Sequence, residues 1–92
     1  MCRNITELRG LEPAATVEEI EAAARQYIRK VTGVTKPNPV LAERLEAAAM
    51  DVAAVTRAVL ADVPKRRQPP KSVPPLRRPE VRARMGLEPF TV

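Results

Sequence analysis

Cys2 is the single cysteine of this 92-residue chain. With Met1 removed, its thiol would sit beside a free amine, a pair able to chelate a metal or act as a nucleophile. Arg3 next to it would favour the thiolate. The plain alternative is a small residue without chemistry. Around it the usual partners are missing. The chain has no histidine, which excludes a His-based triad, a histidine general base and the common zinc sites. Its three glycines, Gly10, Gly33 and Gly86, are too far apart for a phosphate-cradling loop. Glu18, Glu19 and Glu21, and then Glu43 and Glu46, resemble paired carboxylates, but helix-start charge and a solvated face account for them. Tyr27 reads as a core residue with its hydroxyl at the edge. These residues assemble no active site, so the expectation is a protein without enzymatic activity, cofactor or metal.

The second chemical resource is positive charge. Residues 1–31 balance five Arg/Lys against five Glu, and residues 32–63 carry three against four acidic residues. Residues 64–92 carry eight against two, so the net charge of +5 belongs to the end of the chain. Lys65, Arg66, Arg67, Lys71, Arg77 and Arg78 are therefore candidate phosphate contacts. Phe90 is the one aromatic there, which leaves no stacking platform for reading bases. The rival reading docks Val81, Met85, Leu87 and Phe90 into a partner's groove, the segment ordering as it binds. An inert, solvated tail is the third.

Two helical patterns joined by a Gly/Pro turn must position all of this. Thr16 with Glu19 three residues later forms a capping box, and Val17, Ile20, Ala24, Tyr27 and Val31 then recur at helical spacing. Gly33 is the natural stop. Asn38 as N-cap and Pro39 as first helical residue start the second helix. Along it Leu41, Leu45, Ala48, Val52, Val55 and Val59 step by 4, 3, 4, 3 and 4, a heptad-like seam that Ala49, Ala53, Thr56 and Leu60 broaden. Val63-Pro64 ends it. At 1.5 Å per residue the two helices span roughly 24 Å and roughly 36 Å, so the longer one leaves apolar face uncovered. Ile5 and Leu8, three apart and followed by Gly10, predict one or two helical turns over Asn4–Arg9.

From Pro64 onward seven of the ten prolines mix with basic residues, which predicts an extended tail, disordered when unbound. Pro79, Glu80–Met85 and Gly86 mark a helical island within it. The reading is thus an all-α fold with a helical domain over 1–63 and a basic Pro-rich tail over 64–92. Such a short domain buries only roughly 60–65% of its unfolded surface. A homo-oligomer joined through the second helix, or a subunit of a larger assembly, is the expectation. No apolar run reaches the ~20 residues of a membrane span, and one cysteine forms no disulfide framework, so a cytoplasmic location is expected.

The opening Met1-Cys2-Arg3-Asn4-Ile5 and the run from Glu12-Pro13-Ala14-Ala15-Thr16 through Glu18-Glu19-Ile20, Gln26-Tyr27, Arg29-Lys30, Gly33 and Lys36-Pro37 resemble a family of small bacterial proteins called domain of unknown function 2277. The resemblance covers about residues 1–63, is weaker in the second helix, and departs at Gly10 and Ala14, where the family has Asn and Pro. It implies a helical bacterial protein and carries over no activity. The Cys2-to-Ile5 opening lies outside the hairpin, which leaves packing of Ile5 or a role for the Cys2 thiol or amine as its explanation. The function expected is protein interaction or a place in an assembly. The alternatives are a nucleic-acid accessory acting through the tail and a thiol or metal role for Cys2.

Overall fold

The computed structural model describes residues 4–64, 70 and 72–90. Among these, α1 spans Val17–Thr32, α2 spans Pro39–Asp62, a 3-10 turn occupies Pro75–Arg77 and α3 spans Pro79–Arg84, with no strand. The helix ends follow local chemistry. The Thr16 hydroxyl accepts from the Glu19 N–H at 3.1 Å, and the Glu19 carboxylate accepts from the Thr16 N–H at 2.8 Å, the reciprocal pair of a capping box. Gly33 closes α1 at φ 69°, a left-handed conformation that an L side chain would strain. Asn38 caps α2 through its side-chain oxygen on the Leu41 N–H at 2.8 Å. Gly86, at φ 73°, ends α3 while the Leu87 N–H reaches back to the Arg82 carbonyl at 2.8 Å.

α1 and α2 pack as an antiparallel pair. Arg25 meets Glu46 near the turn, and Ile20 lies with Leu60 at the far end. The contact is made of small residues, with Ala24 of α1 and Ala49 and Ala53 of α2 buried beside Ile20 and Leu8. Alanines let the two backbones approach closely. This choice turns α2 by about 90–100° from the heptad-like seam, at about 100° per residue. Ala49, Ala53, Thr56 and Leu60 face α1, and Val55 and Val59 are left 65% and 53% exposed. Along the expected α1 stripe, Ile20 and Ala24 are buried, but Val17, Tyr27 and Val31 are exposed and Gln26 is buried. Tyr27 is therefore half-exposed at the rim of the pair, outside the core.

Residues 4–9 form bends and extended backbone, without the expected helical turns. The reason is long-range. The Asn4 N–H donates to the buried Gln26 Oε1 at 2.7 Å, Leu8 enters the core, and Arg9 Nε donates to the Pro64 carbonyl at 2.7 Å. These three anchors hold the segment across the open side of the hairpin, and no single helical turn reaches all of them. Thr16→Ala removes one half of the capping box and is expected to cost about 1 kcal/mol. It should be read as a lower urea midpoint at unchanged slope; an unmoved midpoint would mean that the box does not hold the start of α1.

Candidate functional site

The start of α1 is also where the end of the chain arrives. Arg77, on the 3-10 turn, forms a two-pronged ion pair with Glu19: Nε to Oε2 at 2.7 Å and Nη2 to Oε1 at 3.1 Å. The same Nη2 donates to the carbonyls of Pro13 at 2.7 Å and Ala14 at 3.1 Å. Both side chains are nearly enclosed, with 7% exposure for Arg77 and 2% for Glu19. The Phe90 ring lies over the guanidinium, its centroid 4.6 Å from Cζ, with the Arg82 guanidinium 5.8 Å away. Arg82 in turn donates to the carbonyls of Leu76 and Glu88, which ties both flanks of α3 together.

Burial pushes the Glu19 carboxyl up, but the Arg77 hydrogen bond, the Thr16 amide and the Arg77 charge outweigh it and hold its pKa below the ordinary 4.5. Glu19 therefore serves two partners at once, closing the capping box of α1 and receiving the tail. At the other end of the hairpin, Arg25 grips Glu46 with bonds of 2.7 to 3.2 Å. The Arg25 hydrogen bond lowers the Glu46 pKa against a small burial effect. Both of those side chains are about half exposed, so solvent screens this pair to at most about 1 kcal/mol.

The residues singled out from the sequence are distributed unevenly. Val81 and Met85 line a groove of about 660 Å³ together with Ile5, Leu76, Arg78 and Arg84. Leu87 is 42% exposed and lies outside that lining, and Phe90 is taken up by Arg77. Of the candidate phosphate contacts, Arg77 is enclosed in the fold, and Arg78 directs Nε to the Val73 carbonyl at 2.9 Å. Lys65, Arg66, Arg67, Lys71 and Cys2 lie outside the described residues. Among the described residues no group of acidic or cysteine side chains is placed to hold a metal ion, and no helix is long and apolar enough to cross a membrane.

The longer helix leaves apolar face uncovered, and that face lies along the seam. The face that α2 turns away from α1 carries Leu41, Val55 and Val59, and it continues across Val52 to Tyr27 and Ile5 around a shallow cavity of about 280 Å³. The signal was present in the 4-3-4-3-4 spacing. What the spacing did not reveal is that α1 would take the neighbouring alanine face and leave this one open.

Fold and site together define a small all-α protein: a helical hairpin closed at one end by its own C-terminal segment. Residues 1–84 match the family model described as "Uncharacterized conserved protein (DUF2277)", and the chain belongs to that family. The match runs beyond residue 63, where the sequence resemblance was placed, and takes in the segment that carries Arg77 and α3. No curated protein and no solved structure matches the chain.

Arg77→Met leaves the Glu19 carboxylate enclosed without its partner and is expected to cost about 3–5 kcal/mol. Arg77→Lys should recover little, because an ammonium does not match the carboxylate fork. Because the folded pKa of Glu19 is lowered, its contribution is complete above the ordinary carboxylate range and is lost as the pH falls through the lowered value. Urea midpoints measured across the acid range should therefore fall more steeply for the wild type than for Glu19→Gln; parallel curves would show that Glu19 titrates as it does in the unfolded chain.

Proposed function

We propose that this chain is a non-enzymatic interaction module, a subunit that works by presenting the apolar face of its helical hairpin to a protein partner. One observation carries the reading. Among the described residues no large side chain falls below 2% exposure, while Tyr27, Val55, Val59, Val31, Leu41 and Ile5 remain substantially exposed. A small domain with so thin a core gains stability by covering such a face. The contiguous stretch from Ile5 and Tyr27 across Val52 to Val59 is the kind of patch that marks an interaction site. Enclosure of Arg77, with Phe90 stacked against it, takes one cation and the tail's aromatic away from the rival reading, a nucleic-acid accessory acting through the basic tail.

The test is co-purification with tagged full-length chain, from lysate that also contains untagged chain, with and without nuclease. A defined protein, the untagged chain included, should survive nuclease and be lost with Val55→Asp or Val59→Asp. Recovery of nucleic acid alone, or capture indifferent to both substitutions, would refute the proposal.

A further inference from the structure

Resting on that reading, we propose that the partner of this face is a second copy of the chain, with the two α2 helices packed antiparallel about a two-fold axis that passes between Ala48 and Val52 of the seam. The seam of α2 runs through Leu41, Leu45, Ala48, Val52, Val55 and Val59. Steps of 4, 3, 4, 3 and 4 read the same from either end, so an antiparallel copy brings every seam residue opposite another one. Leu41 meets Val59 of the partner subunit, Leu45 meets Val55 of the partner subunit, and Ala48 meets Val52 of the partner subunit. Each layer joins two apolar side chains, and the seam contains no charge. Ala48, next to the axis, lets the helices approach closely there. An interface of this kind is isologous and closes at two chains.

The face is open for such a copy. Val55 and Val59 are 65% and 53% exposed, and Tyr27 and Ile5 extend the patch beyond α2. From Leu41 to Val59 the seam is about 27 Å long; with a width of about 15 Å the footprint is about 400 Å² per copy, about 800 Å² in total, which is below the roughly 1,000 Å² of a stable specific interface and fits a weak, transient one. The dimer is therefore expected to depend on concentration within the micromolar-to-millimolar range.

The same register places one unfavourable contact. Asp51 is exposed, lies on the edge of the seam, and falls almost on the two-fold axis, where it faces its own copy. Like charges so placed oppose association, so removing this charge should strengthen the dimer. A heterologous partner has no reason to respond to Asp51 in that way.

Sedimentation equilibrium of the purified full-length chain tests both points. The mass should rise with concentration from one chain to two and no further. Val55→Asp and Val59→Asp should each weaken the dimer by more than about tenfold, and Asp51→Asn should tighten it by about two- to fivefold. Ala54→Asp, at an exposed position on the side of α2 away from the seam, should change nothing. All four positions are exposed, and circular dichroism with urea midpoints establishes that each variant is folded. A monomer at millimolar concentration, growth beyond two chains, a dimer indifferent to Val55→Asp, or a dimer that Asp51→Asn fails to tighten would overturn the proposal. If the chain is a monomer yet still captures another protein through the Val55 face, the second copy fails and the interaction module stands. If face-dependent capture fails too, both fall.

Discussion

A carboxylate enclosed in protein must have its charge matched, and Glu19 is such a carboxylate. Its side chain is 2% exposed, and Arg77 supplies the match from 58 residues away along the chain. Each acceptor within reach of the Arg77 fork belongs to the entry of α1: both Glu19 oxygens and the Pro13 and Ala14 carbonyls. A pair of this kind contributes more to where a segment docks than to net stability, because the desolvation of both charges offsets much of their attraction. The cost of breaking it is high for the same reason, since one enclosed charge is then left alone. The pair thereby fixes one docking geometry for a Pro-rich segment that has little apolar surface of its own.

With the tail held at the entry of α1, the hairpin is covered there and left bare elsewhere. The N-terminal residues lie across one side through Asn4, Leu8 and Arg9. The Pro75–Arg77 turn and α3 lie beside them, and Thr6 of one segment bonds Ser72 of the other at 3.3 Å. The alanine face of α2 is occupied by α1. Left exposed are the valine-rich seam and the Tyr27 edge, with Val17, Val31 and Val40 at the helix ends. The exposed apolar surface is therefore a consequence of how the other faces are covered. On the proposed reading, the face offered to a partner is the one that intramolecular contacts leave open.

The features legible in the sequence are those that depend on neighbours a few residues apart. The Thr16–Glu19 box, the stop at Gly33, the Asn38-Pro39 start and the short helix closed by Gly86 are all local chemistry, and the structure has each of them. The features that were not legible depend on partners far along the chain. Ile5 and Leu8 have helical spacing, but the bond from Asn4 to Gln26 and the anchor from Arg9 to Pro64 draw the segment out of a helix. α2 has an apolar face wide enough for two packings, and only the fit of Ala49 and Ala53 against Ala24 selects between them. Glu19 was identified as a cap from its spacing to Thr16, whereas nothing near Arg77 in sequence distinguishes it from Arg78. One of these two arginines is locked into the fold and the other lines a groove.

The C-terminal segment is part of the fold through Arg77. Hydrogen exchange of the wild-type chain checks this at the amides of Arg77, Arg82 and Leu87, which donate to the carbonyls of Pro74, Arg78 and Arg82 in the turn and around α3. These amides should exchange well below the free-peptide rate, and they should lose that protection in Arg77→Met while the amides of α2 keep theirs. Exchange of the three at the free-peptide rate in the wild type, beside protected amides in α1 and α2, would contradict the account.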